Sequence, residues 1–190
     1  MAGVIAINAG SSSVKVATFS GGAAVARHEI DDLPLDGSGH AAAIERALAE
    51  LGAVGADVVG HRIVHGGSRS GPVIVTSMVR DDLERLVPLA PLHQPLCLAA
   101  LGTAERLMPA ATHVACFDTA FHRTMPEVAR RYALPREHAD IVADGFHGLS
   151  YEYIASVLPS HVGGSADGRV IVAHLGRGAR MCAIRGRASI

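Results

Sequence analysis

The opening stretch, Val4-Ile-Ala-Ile-Asn-Ala-Gly-Ser-Ser-Ser-Val-Lys-Val-Ala-Thr-Phe19, does most to restrict what this chain can fold into. Val4, Ile5 and Ile7 form the β-branched run of a buried strand, and Val14, Val16 and Thr18 alternate with Lys15 and Ala17 in a second. Between them, Asn8 to Ser13 offers an amide, three hydroxyls and a glycine. Gly10 is expected at positive φ, which would let several backbone N–H groups converge on one anion. Lys15, the chain's only lysine, adds a compact cation beside that turn. An ordinary hairpin with a solvated strand lysine fits the same residues equally well.

The rest of the chain extends this hairpin into a layered α/β pattern. Ala24 to Ile30 reads as a third strand, and Asp31 to Gly39 as a polar loop. Ile44, Ala47, Leu48 and Leu51 repeat at helical spacing between a cap near Ser38 and a stop at Gly52. Asp57 to His65 is the next strand, and Ser77 is expected to cap a short helix that Pro88 ends. Pro95 opens another helix, and His113 to Asp118 is a buried strand. A helix from Tyr151, a linker over Gly163–Gly168, and a second hairpin with strands near 169–174 and 181–184 complete the chain. Strands preceding and then alternating with helices predict a mixed sheet covered by helices.

Bulk properties exclude several classes of protein. The chain has 190 residues, 49% of them hydrophobic, and a formal charge of -1, with its arginines scattered. Such a chain can bury a core, but it offers no basic face for nucleic acid. No apolar run is long enough to span a membrane and no signal sequence is apparent, so a cytoplasmic protein is expected. Cys97, Cys116 and Cys182 are too widely spaced for a zinc knuckle and are expected to be small buried hydrophobes.

Polar residues gather where elements end. Arg62 and Val64 share one face of their strand, and His93 stands at a helix start within Ala90-Pro-Leu-His-Gln-Pro95. Asp118 closes a buried strand, the end at which open α/β sheets bind ligands, although an aspartate there can equally cap a helix. Gly145-Phe-His-Gly148 places an aromatic and a histidine between glycines at another helix start.

Six segments in order resemble the acetate and propionate kinase family of the sugar kinase, Hsp70 and actin superfamily. They are Asn8 to Lys15, His61-Arg-Ile-Val-His-Gly-Gly67, Ala90 to Pro95, Phe117-Asp-Thr-Ala-Phe-His122 with Thr124-Met-Pro126, Gly145 to Gly148, and His174-Leu-Gly176. The resemblance covers nearly the whole chain but only about the first half of a family member. It implies a ribonuclease H-like mixed sheet flanked by helices, an actin-like ATPase lobe over residues 1–145, followed by the start of a second similar lobe over 146–190.

The implied activity is transfer of the ATP γ-phosphate to acetate or another short-chain carboxylate, with Mg2+ or Mn2+ required and a homodimer as the assembly. The implied roles are as follows. Asn8 belongs to the metal site, and Ser11, Ser13, Lys15, His174, Gly176, Arg177 and Gly178 to the nucleotide. Arg62 holds the carboxylate, with Val64, Leu92, His93 and Phe146 around it, and Asp118 and His147 act with Arg62 at the reacting centre. Two departures stand out. Arg177 replaces a family asparagine, and Arg180 adds bulk to what is expected to be a phosphate turn. Because the sequence stops early in the second lobe, the chain alone is expected to be inactive, and its last strands to expose apolar surface and unpaired edges. A remnant or interaction module that keeps the kinase lobe fold is the alternative.

Overall fold

The computed structural model describes residues 3–53, 55–176 and 179–190. Its residues divide into two compact units, one formed by the chain up to His65 together with Pro72–Cys116, the other by Gly66–Gly71 and Phe117–Ile190. The division falls at the end of a strand, upstream of the 145/146 boundary expected from the resemblance.

In the first unit, β1 (Val4–Ala9), β2 (Val14–Ser20) and β3 (Ala23–Ile30) form an antiparallel meander. β4 (Val58–Ile63) then pairs parallel with β1, a connection made through α1 (His40–Glu50). Completing the six-stranded mixed sheet, β5 (Val73–Ile74) and β6 (Thr112–Phe117) give the order β3-β2-β1-β4-β6-β5. Period-two alternation sends Ile5, Ile7, Val14 and Val16 to one face, where they pack with Ile44, Ala47 and Leu48 of α1 and Ala100 and Ala104 of α3 (Gln94–Leu107).

Several expectations shift in detail. Thr76, not Ser77, caps α2 (Ser77–Arg85), its hydroxyl accepting from Val79 N at 3.3 Å. β5, only two residues long, carries no periodic signal. Cys97 and Cys182 are buried, whereas Cys116 is half-buried, and none of the three is in a disulfide.

The second unit holds the short α4 (Glu127–Arg130) and is built on α5 (Gly148–Val162) and an antiparallel sheet of β7 (Arg169–Leu175), β8 (Ala179–Arg185) and β9 (Ala188–Ser189). Tyr151 and Ala155 of α5 pack on Cys182 and Ile184 of β8. Residues expected as a linker, Gly163–Asp167, form a 3-10 turn. Arg180 lies within β8, opposite His174, rather than in the turn. On the other face of this sheet Ile171, Leu175 and Met181 are 73 to 76% exposed, as expected for these strands. Among the described residues, no helix is long and apolar enough to cross a membrane.

Candidate functional site

In the opening hairpin the β1–β2 turn is closed by its own backbone. Gly10 N–H donates to Ser13 C=O at 2.8 Å, and Gly10 C=O accepts from His40 Nε2 at 2.7 Å. Gly10 is not among the residues at positive φ, so the expected left-handed bend is corrected. A hairpin bond within the turn directs that N–H inward, away from any anion. Ser11 and Ser13 remain half-buried at the turn. Lys15 lies directly across the strand pair from Glu29 and forms an ion pair with it, both side chains about half exposed.

Parallel pairing of β1 and β4 brings Asn8 and Arg62 together. Arg62 Nη1 donates to Asn8 Oδ1 at 3.2 Å, the two side chains coming from the C-terminal ends of adjacent strands. Val64 follows, buried at the end of β4. The turn carrying Leu92 and His93 is anchored by a residue that sequence reasoning missed, Gln94, which is fully buried. Its Oε1 accepts from His65 N at 3.0 Å while its Nε2 donates to His65 O at 3.0 Å and Leu83 O at 3.2 Å. This reciprocal pairing uses both amide N–H donors and the amide oxygen and leaves Leu92, 78% exposed, and His93 at the surface.

In the second unit the expected residues Asp118, Phe146, His147 and His174 share one neighbourhood. Asp118 is buried, and its carbonyl accepts from Gly148 N at 2.8 Å. A Cβ on Gly148 would stand 2.1 Å from that oxygen, so only glycine permits the approach. His147 precedes α5 with φ 58°, a left-handed conformation costing a β-carbon residue about 1 kcal/mol or more, and its ring stacks on His174 with centroids 4.4 Å apart. His174 Nδ1 is 3.0 Å from Ser150 Oγ. Gly176 follows β7 as a bend, while Arg177 and Gly178 lie outside the described residues. The Arg180 guanidinium stands over the Phe146 ring, 5.5 Å from its centroid.

His122 was not singled out by sequence reasoning, although it lies in a matched segment. Its Nε2 is 3.0 Å from Phe146 O and its Nδ1 2.9 Å from Ser189 Oγ. Since a carbonyl only accepts, Nε2 carries the proton and Nδ1 accepts from the serine hydroxyl. Burial lowers its pKa, more than the Phe146 carbonyl raises it, favouring this neutral form.

Among the described residues, no group of three or more His, Cys, Asp or Glu side chains could hold a metal ion. Asn8 offers one neutral oxygen, already accepting from Arg62. This donor set does not make a protein-held magnesium site.

The Acetokinase family model matches residues 23–190. Acetate kinase of Methylocella silvestris is 43% identical over 98% of this chain and 56% of that protein. Among solved structures, the chain superposes on acetate kinase of Porphyromonas gingivalis with a TM-score of 0.84 at 32% identity, covering 100% of this chain and 56% of that one. On a propionate kinase of Francisella tularensis the TM-score is 0.83 at 27% identity, with 100% and 56% covered. The chain thus spans about half the length of the curated relatives it matches, or less.

Proposed function

Because this chain belongs to the acetokinase family, we propose that it contributes to transfer of the γ-phosphate of ATP to acetate or another short-chain carboxylate. The observation that best supports this reading is Arg62, whose guanidinium is steadied by Asn8 Oδ1 at the C-terminal end of β4. A planar fork fixed in this way suits a carboxylate, which it can hold with two parallel hydrogen bonds.

In the proposed reaction a carboxylate oxygen attacks the γ-phosphorus, and the bond from that phosphorus to the β–γ bridging oxygen breaks, its electron pair leaving with ADP. No proton has to be removed, because the carboxylate is already ionised at neutral pH. Asp118 therefore serves best by positioning groups, and His147 by stabilising charge on the transferring phosphoryl group. Val64, Leu92, His93 and Phe146 are assigned to the substrate. Ser11, Ser13, Lys15, His174 and Gly176 are assigned to the nucleotide.

Magnesium, where bound, would come with the nucleotide phosphates and neutralise their charge, with Asn8 as a single neutral oxygen toward it. Acyl chain length is a matter of the apolar wall, where one methylene changes binding by only about 1 to 3 kcal/mol. A homodimer acting in the cytoplasm belongs to the same reading.

Calorimetric titration with acetate tests the reading directly. Saturable binding is expected for the 190-residue chain, with the affinity cut tenfold or more by Arg62→Ala and retained in Glu29→Gln. Equal binding by the Arg62→Ala variant would overturn it.

A further inference from the structure

We propose that His122 is a positioning residue that sets the Gly145-Phe-His-Gly148 turn, and through it the placement of the His147 imidazole; the proposal rests on the kinase reading only for what His147 then does.

Three features of the second unit converge on this role. His122 donates through Nε2 to Phe146 C=O at 3.0 Å, the carbonyl of the peptide that leads into His147. The same ring fills the space above Gly145, where a Cβ would lie 2.4 Å from His122 Cγ and 2.6 Å from Cδ2. On the other flank, Gly148 N–H donates to Asp118 C=O at 2.8 Å. The turn is thus clamped at both ends by residues of one short segment, Asp118 to His122.

The clamp explains how His147 is kept at φ 58°. A residue with a β-carbon holds that conformation only where its surroundings impose it. Here one constraint acts on the peptide bond just before His147 and the other on the N–H just after it. On its far side the His122 ring also accepts through Nδ1 from Ser189 Oγ at 2.9 Å, and the Ser189 carbonyl accepts from Thr124 Oγ1 at 2.9 Å. Edge-on contact with Tyr151, ring centroids 5.7 Å apart, limits tilting of the ring.

A side-chain amide can replace one ring nitrogen but not both. In His122→Gln the amide nitrogen falls near the position of Nε2 and can still donate to Phe146 C=O. In His122→Asn the amide is shorter and reaches only the Ser189 side.

The test is proton NMR of the whole chain, read at His147, whose ring signals carry a ring-current displacement from the stacked His174. That displacement is expected to persist in His122→Gln and to collapse in His122→Asn, with closely similar thermal midpoints for the two variants. Ser189→Ala, which removes only a hydroxyl, is expected to leave it in place and serves if either amide variant fails to fold. Persistence in His122→Asn overturns the proposal, and so does a collapse in Ser189→Ala. Parallel loss in both amide variants would mean that His122 only stabilises the fold. None of these signals depends on turnover or acetate binding, so failure of the kinase reading would leave the test intact.

Discussion

His61 Nε2 lies 2.9 Å from His113 Nδ1, and the two imidazoles stack with centroids 5.2 Å apart and planes 24° apart. His113 Nε2 faces Met108 O at 3.1 Å and must donate to it, so His113 Nδ1 accepts from His61 Nε2–H. His61 Nδ1 is then a bare lone pair, buried and without a hydrogen-bond partner. Both histidines belong to the first unit, one on β4 and one on β6.

Burial, helped by His113 and the Arg80 cation, pushes the His61 pKa down from 6.5 to about 3. Below about pH 6.5 the unfolded chain takes up a proton that the folded chain refuses, so stability falls as pH drops from 6.5 toward 3 and levels off below. From pH 7 to pH 5 this group alone is expected to remove about 2 kcal/mol. Urea unfolding of wild type and His61→Leu at both pH values checks it. The variant should be less stable at pH 7 but lose less on acidification.

Gly148→Ala should cost about 2 kcal/mol or more, since the added methyl meets a backbone oxygen that no rotamer change can move. Gly164→Ala is the control, with nothing within 4 Å of its Cβ and an expected change within about 0.5 kcal/mol. Thermal unfolding of the pair separates the close approach from a general glycine effect.

Replacing Gln94 with Leu keeps the volume but removes its three buried hydrogen bonds, to His65 N, His65 O and Leu83 O, the last of which keeps Leu86 N as a donor. A loss of about 3 kcal/mol is expected. Amide exchange at Leu92 and His93 should quicken beyond that global loss, because the anchor of their turn is gone.

Lys15→Gln breaks an exposed cross-strand ion pair, and stability should change by no more than about 1 kcal/mol. On the nucleotide assignment, affinity for magnesium ATP should nevertheless fall about tenfold, the value of one charge-assisted hydrogen bond. Unchanged calorimetric binding would leave Lys15 as Glu29's partner only.

Legibility in the sequence followed the range of the interactions involved. Helix and strand periods located β1 to β4, α1, α3 and α5, because side-chain alternation is written locally. Thr76 and Ser77 are adjacent hydroxyls that the sequence does not distinguish as caps, and only the extended backbone of Thr76 at φ -115° and ψ 171° selects it. The His61–His113 pair spans 52 positions and the Gln94–His65 pair 29, and no periodicity encodes such pairings. His122 lies within a matched segment but has no local signal of its role, since its partners Phe146 and Ser189 become neighbours only once the second unit folds. No shift in composition marks the unit boundary at Cys116/Phe117, which coincides with the end of a continuous apolar strand.

The left-handed backbone at His147 also bears on how this protein responds to directed evolution. Glycine adopts φ near 58° freely, and asparagine does so more readily than histidine. A selection for heat resistance alone can therefore gain by discarding this imidazole, whereas a selection for chemistry that needs the imidazole would retain it. Libraries sorted separately by thermal tolerance and by turnover should consequently diverge at position 147, with the small residues enriched in the first and depleted in the second.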